Sequence, residues 1–446
     1  MKHLIFSLLL LFATSLSAQE ITGKWYAYPD MKSMRLRLNF EISENNGNYT
    51  TTLLIPDQSP KLYTTNQVTF ENNTLSIAVL ECDIVCEVQL QNNGEFKGTI
   101  HQSGYTFPLT LTRTPTLFKR PQTPKPPFPY YSEDITFYNP EGSIHLEGTI
   151  SLPNKTDKFK AVILISGSGQ QNRDCEMCEH KPFLIIADYL ARHGIATLRF
   201  DDRGTAQSEG NFEQSSIPEF ETDVKAAINY LKTRPEIQSD QIGVIGHSEG
   251  GFVALSLAAH HEVAFIITLA GGGVNGRELL LMQREALLKA SGAKEDFIKN
   301  YNNYMRQAQN IAIQTATPAV CEQKLQQLFA GTPLDGHAKE TATQLHNPGK
   351  LGLLMYDPED DYPKINCPVL ALNGTKDCQV PVANLEYIKK GITANGNTQV
   401  TTISYPNLNH LFQTANTGLP VEYCDIEESF SPAVLKDIVN WIQQQN

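Results

Sequence analysis

The G-x-S-x-G motif at residues 246–250 constrains the fold of this chain more than any other segment. The apolar run 241–245 before it predicts a short buried strand, and residues 251–259 after it predict a helix. Between a strand and a helix, this motif is typical of a sharp turn that raises the serine hydroxyl above the edge of a sheet. Ser248 is therefore the first candidate nucleophile. The alternative is a glycine-rich turn with an ordinary serine.

A nucleophilic serine needs a base to remove its proton and a third group to orient that base. In chains with this turn, the partners follow in the order Ser, Asp or Glu, His. Asp377 follows a predicted buried strand, and His410, the only histidine after it, follows the last predicted strand. We therefore predict a triad of Ser248, Asp377 and His410. His247 is a poor candidate for the base, because adjacent residues on a tight turn point in different directions.

The oxyanion formed by such an attack needs fixed N–H donors. We predict that the backbone N–H of Glu249, at the start of the helix, is one donor. The second is expected from the loop 166–170, whose glycines let the backbone approach a substrate; Ser168 is the first choice and Gly169 the neighbouring one. The turn 201–203 either lines the site or is a structural turn held by an Asp and Arg pair.

The first residues of the chain predict export. Residues 1–18 combine a charged start, a short apolar run and a small-residue end, which is typical of a signal peptide cleaved after Ala18. The mature chain is then expected to be secreted or periplasmic. No later stretch has the roughly 18 uninterrupted apolar residues of a membrane span. With 36 basic and 48 acidic residues, the net charge of −12 argues against nucleic acid as a partner.

The chain divides into two predicted domains. Residues 19–114 show alternating apolar residues and tight-turn signals, which predict a small antiparallel β-barrel or sandwich. Residues 115–131 are rich in proline and predict a semi-rigid linker. Residues 132–446 alternate strand and helix patterns, which predicts an α/β fold: a mostly parallel sheet with helices on both faces. A capping box at residues 216–219 predicts the start of one of these helices.

A helical insert at about residues 274–361 interrupts the predicted sheet. At this place it is expected to stand over the carboxyl ends of the strands as a lid, where ligands bind. The alternative is a helical addition that stabilises the sheet edge. Its residues Leu279, Leu280 and Met282 are candidates for an apolar acyl pocket, and Gly169 and Gln170 are further candidates for substrate binding.

The eight cysteines are too few for a disulfide-built scaffold. Cys175 and Cys178 form a C-x-x-C near His180, for which a loop disulfide or free thiols are favoured over a zinc site, because a second ligand cluster is missing. Cys82 and Cys86 are predicted to share one core face of an extended strand. No metal site and no cofactor are predicted.

The second domain resembles the α/β-hydrolase superfamily, and most closely secreted bacterial carboxylesterases of the serine aminopeptidase-like and dienelactone hydrolase-like branch. The motifs that carry this resemblance are Gly167-Ser168-Gly169, His180-Lys181-Pro182-Phe183, Asp201-Asp202-Arg203-Gly204, residues 246–251, Leu372-Asn373-Gly374 with Asp377, and Asn409-His410-Leu411-Phe412. Gly23-Lys24-Trp25 and residues 107–111 resemble the lipocalin-like domain that such esterases carry. The sequence departs from relatives at Gln170, where they have proline. The resemblance implies carboxylesterase activity on short acyl esters without a cofactor.

The sequence as a whole predicts a secreted serine carboxylic ester hydrolase that acts through an acyl-enzyme. Its substrate is expected to be a small-molecule ester, for which an acylated glycan is one candidate. The alternative is a serine aminopeptidase or dipeptidyl-type peptidase on the same fold, which must hold a charged amine with carboxylates such as Glu249. A binding protein on an inactive scaffold is disfavoured, because every expected catalytic position is filled.

Overall fold

The computed structural model describes residues 21–31, 35–57, 61–102 and 104–445. The predicted signal peptide, residues 1–18, lies outside the described residues. The chain forms two compact units, of which the first ends at Leu117 and the second begins at Phe118. In the described part of the chain, no helix has the length and apolarity to cross a bilayer.

The first unit consists of antiparallel strands in two sheets, with the orders β1-β2-β3-β4 and β5-β6-β7-β8-β9. The strands are β1 Gly23–Ala27, β2 Leu38–Asn45, β3 Asn48–Leu54, β4 Leu62–Thr65, β5 Val68–Glu71, β6 Thr74–Val79, β7 Ile84–Leu90, β8 Phe96–Gln102 and β9 Tyr105–Leu111. A backbone bridge between Tyr26 and Thr112 connects β1 with the end of β9. The predicted antiparallel β domain is therefore present as two sheets with this bridge.

The core of the first unit lies between its sheets. In β2 the side chains of Leu38, Phe40 and Ile42 alternate inward, as the sequence pattern predicts. Trp25 packs edge-on against Phe96, with ring centroids 4.9 Å apart. This set of aromatic and branched side chains gives the unit an apolar core of its own.

One prediction for the first unit is wrong. Cys86 is buried in β7, but Cys82 lies in the short 3₁₀ turn Leu80–Cys82 outside that strand. The two cysteines therefore do not share one extended strand face. Asp83, which follows the turn with a φ of 53°, breaks the predicted strand between them.

The second unit is built on an eight-stranded sheet of order β10-β11-β13-β12-β14-β15-β16-β17. Its strands are β10 Tyr131–Asn139, β11 Ile144–Leu152, β12 Phe159–Ile165, β13 Ala196–Phe200, β14 Ile237–His247, β15 Ile266–Leu269, β16 Val369–Gly374 and β17 Val400–Tyr405. The first two strands are antiparallel additions, and the six from β13 to β17 in this order run parallel. This is the α/β-hydrolase architecture that the sequence predicts.

Helices cover both faces of this sheet. They are α1 Pro182–Arg192, α2 Ile217–Lys232, α3 Glu249–Ala259, α4 Gly276–Ala290, α5 Glu295–Ile313, α6 Pro318–Phe329, α7 Ala338–Leu345, α8 Pro348–Met355, α9 Asn384–Thr393 and α10 Pro432–Gln444. Helices α2, α3 and α9 share one apolar core with the sheet, whereas α1 and α10 share the other. The predicted capping box is confirmed, since Ser216 and Glu219 bond reciprocally at the start of α2. Helix α9 was not among the predicted elements.

Helices α4 to α8 form the helical insert between β15 and β16. They enclose a small apolar core that includes Leu281, Met305, Leu325 and Phe329. An insert with a core of its own can keep its shape while it borders the carboxyl ends of the strands. Leu279, Leu280 and Leu353 from this insert line a cavity at those ends.

The segment predicted as a semi-rigid linker is partly anchored to the second unit. The guanidinium of Arg120 donates hydrogen bonds to the carbonyl oxygens of Cys178, at 2.9 Å, Cys424, at 2.7 Å, and Ile426, at 3.0 Å. The side chain of Gln122 donates to the Phe430 carbonyl at 2.7 Å. Residues 118–122 therefore belong to the packing of the second unit.

The same region corrects the prediction for the C-x-x-C segment. Cys178 is bonded to Cys424, which lies 246 residues further along the chain, and Cys175 is a free, buried thiol. A loop disulfide between Cys175 and Cys178 is thus wrong. The backbone takes positive φ values at both Cys175 and Cys178.

Candidate active site

Ser248 lies in the turn between β14 and α3, with φ 54° and ψ −117°. A residue with a Cβ atom pays about 1–3 kcal/mol for such a conformation, so the surrounding structure must hold it. The Ser248 N–H donates to the Leu269 carbonyl at 2.8 Å, and the Ser248 carbonyl accepts from the Gly251 N–H at 2.9 Å. These backbone bonds hold the side chain at the carboxyl end of the sheet.

The two motif glycines are required by close contacts. A Cβ atom on Gly246 would lie 2.0 Å from the carbonyl oxygen of Gly250. A Cβ atom on Gly250 would lie 2.4 Å from the carbonyl oxygen of Ser166. Backbone atoms cannot yield to such contacts without moving the turn, which explains why this sequence has glycine at both positions.

Asp377 and His410 are in contact, as the sequence predicts. The Nδ1 atom of His410 lies 2.8 Å from Oδ2 of Asp377, and both side chains are buried. The other carboxylate oxygen of Asp377 accepts hydrogen bonds from the backbone N–H groups of Gln379 and Val380, each with an N–O distance of 2.8 Å. Asp377 is thus held by its own loop after β16, and it holds the imidazole in turn.

Ser248 and His410 line the same cavity, which has a volume of about 180 Å³. In the described residues, the Ser248 hydroxyl has no hydrogen-bond partner within 3.5 Å, so its bond to His410 is not formed in this structure. Contacts between a nucleophile and its base are often long before a substrate is bound. The arrangement therefore brings the three predicted residues to one site, with the Asp–His contact made.

His247 supports the loop that carries His410. Its Nε2 donates to the His410 carbonyl oxygen at 3.0 Å, and the two ring centroids are 4.8 Å apart. Burial and the neighbouring His410 lower the pKa of His247 to about 3. A ring that stays neutral and is already bonded to the backbone fits a positioning role better than that of a general base.

The two predicted oxyanion donors are linked through their side chains. The Ser168 hydroxyl donates to a carboxylate oxygen of Glu249, and both residues line the cavity. Within the described part of the chain, no acceptor is bonded to the backbone N–H of either residue. Both N–H groups are thus available to a ligand oxygen.

The turn 201–203 is structural, which is one of the two predicted alternatives. Asp202 accepts from the Ser166 hydroxyl at 2.5 Å and from the Gln171 N–H at 2.9 Å. Arg203 forms a buried ion pair with Asp223 at 2.7 Å. Burial raises the pKa of Asp202 to about 7. The hydrogen bonds of Asp202 therefore hold both ends of the loop that carries Ser168.

The predicted substrate-binding residues divide into two groups. Leu279 lines the cavity, together with Leu280 of the same helix. Among the described residues, Gly169, Gln170 and Met282 are not part of the cavity lining. The polar residues Gln171, Gln283 and Lys350, for which the sequence predicted no role, are among the further residues that line it. The face that α4 turns to the cavity is thus the one with Leu279, Leu280 and Gln283.

Lys350 and Glu249 set the electrostatics of the cavity. Burial lowers the pKa of Lys350, against the negative charge of Glu249, and the weaker effect of the Arg284 charge acts in the same direction as burial. Burial also raises the pKa of Glu249, against the Ser168 hydrogen bond and the charge of Lys350. A sequence signal for Lys350 exists in retrospect, because it is the only charged residue in the otherwise apolar α8.

His180, the third member of the C-x-x-C cluster, is a structural residue. It is buried, and its Nε2 donates to the Tyr423 carbonyl at 2.9 Å while Nδ1 contacts the Ser429 hydroxyl at 2.7 Å. No group of three or more His, Cys, Asp or Glu side chains in the described ranges is arranged to hold a metal ion.

The family model for serine aminopeptidases of family S33 matches residues 177–414. The chain belongs to this serine hydrolase family. The matched range includes the serine turn, Asp377 and His410 and covers more than half of the chain.

Individual relatives of this family member are distant. Esterase EstD of Thermotoga maritima is 22% identical over 327 residues, which are 73% of this chain and 72% of the relative. Dipeptidyl-peptidase 5 of Porphyromonas gingivalis is 26% identical over 135 residues, which are 28% of this chain and 18% of that protein. Among solved structures, the Pyrococcus furiosus esterase Pf2001 has a TM-score of 0.44 and 15% identity; the match covers 74% of this chain and 98% of that one.

Proposed function

We propose that this serine hydrolase cleaves carboxylic esters with short acyl chains, with Ser248, His410 and Asp377 as its catalytic triad. The observation that carries the proposal is the buried 2.8 Å contact between Asp377 and His410, beside the cavity that Ser248 lines. The Thermotoga maritima relative named as an esterase supports ester chemistry.

The chemistry follows from the hydrogen-bonding capacity of each group. An ionised carboxylate only accepts hydrogen bonds, so Nδ1 of His410 carries a proton toward Asp377. Its Nε2 is then free to take the hydroxyl proton of Ser248 as the serine oxygen bonds to the acyl carbon. The electron pair of the carbonyl π bond moves onto the carbonyl oxygen. The resulting oxyanion accepts hydrogen bonds from the backbone N–H groups of Ser168 and Glu249.

The remaining steps use the same groups. Collapse of the tetrahedral intermediate breaks the ester C–O bond, and the leaving alkoxide takes the proton from His410. A water molecule then attacks the acyl-enzyme while His410 takes its proton and returns it to Ser248. The products are one alcohol and one carboxylic acid, and no cofactor is used.

The cavity lining favours esters over peptides with a free amine. Glu249 is the only Asp or Glu among the described residues that line the cavity. Its carboxylate already accepts the Ser168 hydroxyl, and Lys350 lines the same cavity. A substrate ammonium group would have to share this carboxylate with the Ser168 hydroxyl and lie near another cation.

A side-by-side substrate panel tests the proposal. We expect the purified chain to hydrolyse p-nitrophenyl acetate and butyrate with a kcat/KM at least about 100-fold above that for aminoacyl or dipeptidyl p-nitroanilides, a gap that needs only about 2.7 kcal/mol in the barrier. Ser248→Ala is the control and should remove both activities. Arylamide cleavage as fast as ester cleavage would replace the esterase proposal by a peptidase of the same fold.

We also propose that the protein is exported. The signal-like pattern of residues 1–18 supports this, and so does the Cys178–Cys424 disulfide, because disulfides persist mainly in oxidising compartments. The test is the mass of the mature protein after expression in a bacterial host with a secretory pathway. Cleavage after Ala18 is expected, and recovery of the full uncleaved chain from the cytoplasm would contradict export.

A further inference from the structure

The cavity beside Ser248 is lined by a lysine that forms no ion pair with any described residue. Lys350 lines it, and in the described residues its ammonium group forms no salt bridge within 4.0 Å and no hydrogen bond. A lysine that is largely buried without a partner costs free energy, which a protein recovers when a ligand brings the missing charge. Lys350 is therefore the first indication of what the cavity binds.

Arg284 is a second cation without a carboxylate partner in the same region. It follows Gln283, which lines the cavity, and it lies one helical turn after Leu280, which lines it too. Its Nη1 is buried and has no hydrogen-bond partner among the described residues. Its guanidinium carbon lies over the ring of Tyr301, 5.6 Å from the centroid.

Among the described residues of the helical insert, no carboxylate forms an ion pair within 4.0 Å with Lys350 or Arg284. On α4, Glu278 pairs with Arg306 at 2.7 Å, and Glu285 pairs with Lys289 at 2.5 Å. Glu249 is the only carboxylate among the described cavity residues, and its hydrogen bond is to Ser168. Lys350 and the nearby Arg284, which is outside the described cavity lining, thus bring two positive charges against the one carboxylate of Glu249, an excess of one positive charge.

We propose that the ester substrate carries a carboxylate, which Lys350 binds from α8 with Arg284 of α4 as the supporting cation. This rests on the proposed ester hydrolysis and names its substrate class. A single carboxylate matches the single uncompensated charge, whereas a phosphate monoester would bring about −1.5 to −2. Charge-assisted hydrogen bonds from an ammonium and a planar guanidinium suit a carboxylate.

Matched pairs of esters test this substrate class. A pH-stat measures hydrolysis of monoethyl adipate against ethyl heptanoate, which places the charge on the acyl side. It also measures γ-acetoxybutyrate against pentyl acetate, which places the charge on the alcohol side. In one of these pairs we expect kcat/KM for the anion to exceed that for the neutral ester at least about tenfold, the effect of roughly one charged hydrogen bond.

The variants assign the preference to the proposed residues. Lys350→Met and Arg284→Gln should each lower the ratio of anionic to neutral kcat/KM, whereas Lys350→Arg should keep it above one. Lys324→Met removes the same charge from an exposed position of α6 and should leave the ratio unchanged. If Lys350→Met does not fold, as thermal unfolding would reveal, Lys350→Gln takes its place.

The outcomes separate the two proposals. If the neutral esters and p-nitrophenyl butyrate are cleaved with dependence on Ser248 but neither anion is preferred, the carboxylate proposal fails and the ester hydrolase stands. A preference that survives Lys350→Met also overturns the assignment to Lys350. If no ester is cleaved at all, the proposed function fails, and the substrate class falls with it.

Discussion

Cys178 and Cys424 join two loops of the second unit that border the cavity. Cys178 belongs to the loop between β12 and α1, which also carries Ser168, and Cys424 belongs to the loop after β17, which also carries His410. Arg120 donates hydrogen bonds to the carbonyl oxygens of both cysteines. One covalent bond thus connects the segment of a proposed oxyanion donor with the segment of the proposed base.

Loss of this disulfide should destabilise the protein. A bond that closes a loop of this length restricts the unfolded chain, and its removal typically costs about 2–5 kcal/mol. We expect the pair Cys178→Ser, Cys424→Ser to lower the free energy of unfolding in urea by this amount and to reduce kcat. Cys367→Ser removes a free thiol and serves as the control. Equal stability of the disulfide variant and the control would contradict the prediction.

Removal of any triad member should abolish most turnover. Ser248→Ala, Asp377→Asn and His410→Ala are each expected to lower kcat for p-nitrophenyl butyrate by about 10³–10⁶, and their effects should not add, because the three residues act as one proton-transfer unit. His337→Gln replaces an exposed histidine of the helical insert and should keep activity. Near-normal hydrolysis by His410→Ala would mean that another residue is the base.

The stability of the second unit should fall below pH 6.5 because of His180. Burial and the charge of Arg120 lower the pKa of this histidine to about 4. Between pH 6.5 and 4 the unfolded chain binds a proton that the folded chain does not, so the free energy of unfolding decreases as the pH falls. From pH 7 to 5 this amounts to about 2 kcal/mol at 1.36 kcal/mol per pKa unit.

Urea unfolding at pH 7 and pH 5 measures this effect. His180→Gln should lower stability at both pH values, since the hydrogen bonds to Tyr423 and Ser429 change, but it should shrink the difference between them by about 2 kcal/mol. His193→Gln is the same substitution at an exposed position. An unchanged pH difference in His180→Gln would show that His180 does not cause it.

The anchoring of residues 118–122 predicts where the second unit can be cut. A chain that starts at residue 118 should fold and retain ester hydrolysis, since all proposed catalytic groups follow it. A chain that starts at residue 131 lacks Arg120 and Gln122, and with them hydrogen bonds to the carbonyl groups of Cys178, Cys424 and Phe430. We expect it to melt at a lower temperature. Equal melting temperatures would mean that the anchor contributes nothing to stability.

Local patterns in the sequence determined most of the catalytic framework. The strand and helix periods predicted the mostly parallel sheet with helices on both faces. The glycines of the serine turn and the order of Ser248, Asp377 and His410 predicted which strand ends meet. The placement of these residues can be predicted because parallel strands have their carboxyl ends at the same edge of the sheet. This placement does not depend on the conformation of the loops between the strands.

Only the tertiary structure decided which side chains complete the cavity. A step of one residue turns a helix by about 100°, so Gln283 lines the cavity and its neighbour Met282 does not. Lys350 and Arg284 are 66 residues apart in the sequence and lie on different helices. Cys178 and Cys424 are 246 residues apart and form a disulfide. No local sequence pattern predicts such long-range proximity, because it depends on how complete helices and loops pack against one another. The charge that we propose for the substrate can therefore be inferred only from the folded chain.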